Sequence, residues 1–139
     1  MAAHWILKTE PSSYSYDQLA KEGRTAWNGV KNAQALIHIR SMKAGDEALI
    51  YHSGDGKALV GLARIASGPY PDPEAGDPKL VVVDVEAGRR LPREVTLAEI
   101  KAVPAFADLG LVRQGRLSVV PVKPDQWKRL LAMSRESRD

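Results

Sequence analysis

Apolar and polar positions follow two periods along this chain, and they predict short strands mixed with short helices. Continuous or alternating apolar runs rich in β-branched residues predict strands. These runs are residues 5–7, 47–52, 58–66, 80–85, 90–95 and 117–122. Apolar residues at i, i+3 and i+4 behind a capping residue or a proline predict helices. These helices begin near residues 15, 32, 96 and 124.

Turn residues separate the predicted elements. Gly45 ends the second helix, and residues 53–56 form a tight turn that joins two strands into a hairpin. Residues 68–78 contain four prolines and predict an ordered loop. A turn at Gly88 leads to strand 90–95, where Pro92 indicates an edge position because proline donates no ladder hydrogen bond.

The order of these elements predicts the fold class. The helices do not alternate regularly with the strands, which argues against a doubly wound parallel sheet. We expect an α+β fold, a small mixed β-barrel of five to six strands with short helices around it. At 139 residues the chain is the usual size of one domain, so residues 1–139 are assigned to a single domain whose last few residues form a disordered tail.

Composition narrows the classes of protein. The net charge of +3 is only mildly basic, so it is compatible with a nucleic-acid partner without requiring one. Cysteine is absent, which removes disulfides and thiol catalysis. No apolar run approaches the roughly 20 residues of a membrane span, and no signal peptide is evident. We therefore expect a cytoplasmic protein with no membrane partner.

Familiar catalytic patterns are missing. The sequence has no phosphate-binding glycine loop and no nucleophile elbow, and His4, His38 and His52 lack metal-ligand spacing. We therefore expect a protein that is not an enzyme and that needs neither a cofactor nor a metal. A catalytic carboxylate pair stays open, since four acidic residues could meet in space and the sequence selects no two of them: Glu10, Asp46, Asp72 and Asp84.

Polar residues cluster in loops and at strand ends, where small sheets build pockets. Residues 8–11 follow the first buried strand and form either a pocket edge or a structural turn. Trp27, in a loop between two helices, is either a core plug or a platform on which a base stacks. Asn28 beside it offers both a donor and an acceptor to a base edge.

Two further segments allow the same pair of interpretations. His52 points away from Tyr51 and Ser53 in the alternation of a strand, and it is either a hydrogen-bonded core histidine or a site residue. Arg116 begins the last strand and pairs with Glu10 or with a ligand phosphate.

Taken together, these segments resemble one family. Eight stretches occur in family order over nearly the whole chain: WILKTEP at 5–11, WNGVKNAQA at 27–35, MKAGD at 42–46, YHS at 51–53, VGLA at 60–63, YPDP at 70–73, LAEIK at 97–101 and GRLSV at 115–119. Each stretch is weak alone, and the ordered set is similar to the EVE-domain family. The resemblance implies a PUA-like barrel, related to YTH and ASCH domains, with a pocket that binds a modified base flipped out of DNA or RNA.

The resemblance also implies roles for individual residues. Trp27 stacks on the base, and Asn28, Thr9 and Ser53 meet its edge. The other base- or ligand-binding candidates are Gly29, Val30, Glu10, His52, Tyr70, Pro71 and Asp72, the last three as a pocket wall. Four residues meet phosphate or ribose, or are structural: Lys8, Lys31, Arg116 and Ser118.

Three positions depart from the family pattern. Asn28 stands where the family commonly has aspartate, so a side chain that both donates and accepts hydrogen bonds replaces one that only accepts them. Lys31 stands in place of arginine and loses bidentate geometry. Ala33 replaces an aromatic residue and removes one wall of a possible aromatic cage.

We therefore expect a nucleic-acid-binding module that recognises a modified base, working as a monomer. The sequence leaves open the modification and whether the polymer is DNA or RNA. One alternative is a binder of a free nucleoside, nucleotide or other small molecule in the same pocket. A third is an enzyme that acts on a modified base through Glu10 or Asp72 with His52.

Overall fold

A computed structural model describes residues 3–54 and 56–135. The strands are β1 (His4–Thr9), β2 (Arg24–Ala26), β3 (Glu47–His52), β4 (Ala58–Ile65), β5 (Tyr70–Pro71), β6 (Val81–Val82), β7 (Asp84–Thr96) and β8 (Val119–Val122). The helices are α1 (Tyr16–Glu22), α2 (Ala33–Ser41), α3 (Leu97–Lys101), α4 (Gly110–Arg113) and α5 (Pro124–Met133), with a 3₁₀ turn at Pro104–Phe106. The predicted disordered tail, at residues 136–139, lies outside the described residues.

Six strands form one mixed sheet in the order β2-β7-β4-β3-β1-β8. β1 runs parallel to β3 and antiparallel to β8, while β3 and β4 form the predicted antiparallel hairpin. The sheet curls into a half-barrel with the short helices around it, and β5 and β6 form a separate two-stranded ribbon. The predicted α+β fold with a small mixed barrel is therefore confirmed.

Apolar side chains from the central strands fill the interior. Ile6, Leu7, Leu49 and Leu59 are fully buried. Asp46, directly before β3, is also buried and accepts three hydrogen bonds, from the Trp5 indole and from the main-chain N–H groups of residues 3 and 43, each at 3.0 Å. A buried carboxylate is stable only when it is satisfied in this way.

The predicted helix starts are present. The Ser15 hydroxyl accepts from the Gln18 N–H, and Thr96 and Glu99 form a reciprocal capping box. One end differs from expectation. α2 ends at Ser41, ahead of Gly45, because Met42 is already extended at ψ 151°.

The region after the proline-rich loop differs most from the predicted strands. The predicted turn at Gly88 is wrong, since β7 runs without a break through that position. A Cβ at Gly88 would lie 2.9 Å from the Leu62 carbonyl oxygen, so this glycine permits a close approach of β4 rather than a reversal. Predicted strand 80–85 is divided between β6, which pairs with β5, and β7.

The edge predicted from Pro92 is correct for the second half of β7. β2 pairs only with residues 84–86, so beyond them β7 has β4 as its sole strand partner within the described ranges. The sequence pattern does not predict the short elements β2, β5 and α4, because they contain too few residues for a periodic signal. No described helix is long and apolar enough to cross a membrane.

Candidate functional site

A cleft of about 490 Å³ opens where the end of β1, the start of α1 and the loop after β2 come together. We call it the Trp27 cleft. Its lining residues are Lys8, Thr9, Ser13, Tyr14, Glu22, Thr25, Ala26, Trp27, Asn28, Gly29, Val30 and Ser118. This volume lies within the range of small-ligand sites in proteins.

Two aromatic rings form the apolar part of this cleft. Trp27 is only 7% exposed, and its main-chain N–H donates to the Val83 carbonyl at 2.9 Å. Tyr14 meets its ring edge-on, with 6.1 Å between centroids and planes at 85°. Trp27 is therefore both a core residue and a wall of the cleft, which joins the two interpretations that the sequence left open.

Residues at the end of β1 form a polar wall. The Thr9 hydroxyl donates to the Tyr14 carbonyl at 2.6 Å, and Lys8 Nζ donates to the Gly115 carbonyl at 2.9 Å. Lys8 Nζ also lies 5.7 Å from the centre of the Tyr51 ring. Burial lowers the pKa of Lys8. The hydrogen bond fixes this cationic group beside the cleft, where it favours an anionic ligand.

The phenol of Tyr14 and the carboxylate of Glu22 form a second polar part of the Trp27 cleft. The Tyr14 hydroxyl donates to Glu22 Oε1 at 2.7 Å. Burial and this hydrogen bond raise the pKa of Tyr14 to about 12, with a smaller opposing effect from Thr25. The phenol therefore stays protonated and holds the Glu22 carboxylate in place.

The loop at residues 28–31 leaves its main chain unpaired. No N–H or C=O group of these four residues bonds to another residue in the described part of the chain, and Asn28 is exposed. Gly29 has φ +81°, in the left-handed region that favours glycine. Main-chain groups are obligatory hydrogen-bonding groups, so this loop offers donors and acceptors to a ligand.

A smaller cleft of about 280 Å³ lies on the other side of the same loop. It shares residues 28–30 with the Trp27 cleft and adds Lys31, Asp72, Glu74 and part of residues 75–82. The loop is thus a wall between two neighbouring concave surfaces.

The structure brings together seven of the fifteen residues predicted for the site. Those that line the Trp27 cleft are Lys8, Thr9, Trp27, Asn28, Gly29, Val30 and Ser118. Lys31 and Asp72 line the smaller cleft. The remaining six line neither: Glu10, His52, Ser53, Tyr70, Pro71 and Arg116.

Several of these six have structural contacts instead. His52 Nε2 accepts from the Tyr16 N–H at 2.9 Å at the start of α1, and burial lowers the pKa of this imidazole. The Tyr70 hydroxyl donates to Asp84. The Ser53 hydroxyl donates to the Thr9 carbonyl at 3.3 Å. Their ligand roles stay predictions.

Five lining residues are not among the predicted site residues: Ser13, Tyr14, Glu22, Thr25 and Ala26. Of these, Tyr14 carried a usable signal in the sequence, because it is an aromatic residue in the short polar segment between β1 and the Ser15 cap of α1. Within residues 3–54 and 56–135, no group of three or more His, Asp or Glu side chains is arranged to hold a metal ion.

A family model, a curated relative and a solved structure all resemble this chain over most of its length. The family model described as the EVE domain matches residues 3–133. Thymocyte nuclear protein 1 of Homo sapiens is 28% identical over 96% of this chain and 74% of its own length. The NMR structure of a Rhodopseudomonas palustris protein is 43% identical and superposes with a TM-score of 0.91, covering 98% of this chain and 97% of that one.

A further solved structure contains a ligand. The crystal structure of human THYN1 protein in complex with DNA containing 5-methylcytosine has a TM-score of 0.88 at 28% identity. The match covers 98% of this chain and 99% of that one.

Proposed function

The chain belongs to the EVE-domain family, and from this premise we propose that it is a non-enzymatic module that binds nucleic acid carrying a modified base. The base enters the Trp27 cleft after leaving its stack. The observation that carries this proposal is the composition of the cleft, in which aromatic walls, a cation and unpaired main-chain groups face one concave space. The DNA complex of the human relative supports the same class of ligand.

Each part of the cleft has a role in this proposal. Tyr14 and Trp27 supply the apolar contact, and base–aromatic stacking contributes about 1–3 kcal/mol. The unpaired main chain of residues 28–31 meets the polar edge of the base. Lys8 lies close enough to the cleft to meet a phosphate or ribose, while exposed Arg116 extends the cationic surface beyond it.

Binding of a free nucleoside in the same cleft is the second candidate function, because the cleft volume is that of a small-ligand site. Base flipping costs a few kcal/mol, and this cost is smaller in single strands. A module for polymers has to offset that cost with contacts to the backbone. Free nucleoside and oligonucleotide therefore separate the two functions.

The experiment is a fluorescence titration with short oligonucleotides that each carry one modified base, alongside the free nucleosides. We expect an oligonucleotide to bind more tightly than its nucleoside. In Trp27→Leu we expect affinity to fall by about tenfold or more, since part of the stacking surface is lost.

The matched control is Trp127→Leu. Trp127 is equally buried, at 4% exposure, but lies on α5 and lines neither cleft. Both variants lose stability, and only Trp27→Leu should lose binding. Equal affinity for nucleoside and oligonucleotide would favour the small-molecule function, and no binding to any oligonucleotide at low salt would refute the proposal.

A further inference from the structure

Glu22 is the acidic residue among the described residues that line the Trp27 cleft. It is the last residue of α1, and its Oε1 accepts from the Tyr14 hydroxyl at 2.7 Å. Its second oxygen, Oε2, has no hydrogen bond to another residue of the described ranges. One oxygen is therefore anchored and the other remains available to a ligand.

An ionised carboxylate accepts hydrogen bonds and donates none. Cytosine-type bases carry an exocyclic amino group at position 4, which is a donor, whereas thymine carries a carbonyl oxygen there, which is an acceptor. Opposite Glu22, the amino group gains a hydrogen bond to a charged acceptor. The carbonyl instead places two acceptors face to face.

Resting on the proposed function, we infer that Glu22 is a specificity-determining residue that admits cytosine-type bases to the cleft and rejects thymine. Tyr14 acts as its positioning residue by holding Oε1. The stacking walls do not make this distinction, because 5-methylcytosine and thymine have the same ring shape and the same 5-methyl group. They differ at position 4, which we place opposite Glu22, and in the protonation of the neighbouring ring nitrogen N3.

The test compares two single-stranded oligonucleotides that are identical except for one 5-methylcytosine or one thymine. We expect the wild-type protein to bind the 5-methylcytosine strand roughly ten- to a hundredfold more tightly, as expected for one hydrogen bond to a charged group. In Glu22→Gln we expect this ratio to fall to within about threefold, since an amide donates to a carbonyl as readily as it accepts from an amine.

Tyr14→Phe provides a second variant that keeps the carboxylate and the aromatic ring. It removes only the hydroxyl that anchors Glu22, so the ratio should fall while binding of the 5-methylcytosine strand persists. Glu47→Gln is the matched control for charge. Glu47 begins β3, at the end of the sheet opposite Thr9 and His52, where it pairs with His4, and its substitution should leave the ratio unchanged.

The outcomes separate this inference from the function on which it rests. Wild-type protein that binds both strands equally would overturn the role of Glu22 and leave nucleic-acid binding intact. The same holds for a preference that survives in both Glu22→Gln and Tyr14→Phe. Wild-type protein that binds neither strand, nor any other modified oligonucleotide, would overturn the proposed function itself.

Discussion

Gly61 lies under the ring of Tyr16, in the middle of β4. A Cβ built at this glycine would come within 2.3–2.7 Å of three atoms of that ring. The Tyr16 hydroxyl continues past it and donates to the Leu62 carbonyl at 2.8 Å. The missing side chain thus lets the first residue of α1 lie flat on the sheet, beside the loop that lines the Trp27 cleft.

We expect Gly61→Ala to lower the free energy of unfolding by roughly 1–3 kcal/mol, because the methyl group displaces a ring that is held at both ends. Urea unfolding followed by tryptophan fluorescence measures this change. Gly68→Ala is the control, since a Cβ there meets nothing within 4 Å and the change should stay within about 0.5 kcal/mol. Equal effects of the two substitutions would show that the Tyr16 contact is unimportant.

At the scale of one element, α3 is fixed by the charge of Glu99 as well as by its cap. Glu99 accepts from the Thr96 N–H and hydroxyl at the helix start, and it forms an ion pair with Arg93 at 2.7 Å. The hydrogen bond from Arg93, with the contacts from Thr96, lowers the pKa of Glu99 to about 2, from an ordinary value of 4.5. The ionised form is therefore favoured in the folded protein.

A lowered pKa in the folded state makes this stabilisation dependent on pH. It is fully present above pH 4.5 and disappears as the pH falls towards 2. We expect Glu99→Gln, which keeps a capping side chain but loses the charge, to be about 1 kcal/mol less stable than wild type at pH 7.

Unfolding measured between pH 7 and pH 2 tests this prediction, because the difference should shrink as the pH falls below 4.5. Glu74→Gln makes the same substitution on an exposed loop residue and serves as the control. A difference between wild type and Glu99→Gln that is independent of pH would contradict the role of the ion pair.

The helix starts could be predicted from the sequence because caps are local: Ser15, Asn32 and Thr96 each bond within three residues. The role of Gly88 could not be predicted in this way, because the glycine is required by its close contact with the main chain of Leu62, which is distant in sequence. The candidate site divides in the same way. The segment at residues 27–30 was visible as an unusual loop, whereas Glu22 reaches the cleft only through the packing of α1.

At the scale of the whole molecule, the modest charge limits how strongly salt acts on binding. The net charge is +3. Three cationic residues are candidates for phosphate contacts: Lys8 in the Trp27 cleft, Lys31 in the smaller cleft, and Arg116, which follows the Gly115 carbonyl that binds Lys8. Each phosphate contact adds about 0.9 to the slope of log K against log salt on duplex DNA. Three contacts therefore limit the slope to a magnitude of roughly 3.

We expect Lys31→Gln to reduce the magnitude of that slope by about one, with little change in which base is preferred. Titrations between low and physiological salt measure it. Lys128→Gln, on a helix that contributes to neither cleft, should leave the slope unchanged. An unchanged slope in Lys31→Gln would place the phosphate path elsewhere on the surface.

The pairing of β1 with β8 has a consequence for biosynthesis. β1 is synthesised long before β8, yet β8 is the strand that covers one of its edges in the described residues, with His4 opposite Val122. Until β8 is synthesised, the nascent chain carries an open edge that can template pairing with another chain. The wall of the Trp27 cleft that joins Lys8 to Gly115 and Ser118 likewise forms only after residues 115–118 are synthesised, so a nascent chain that stops before them lacks this part of the cleft.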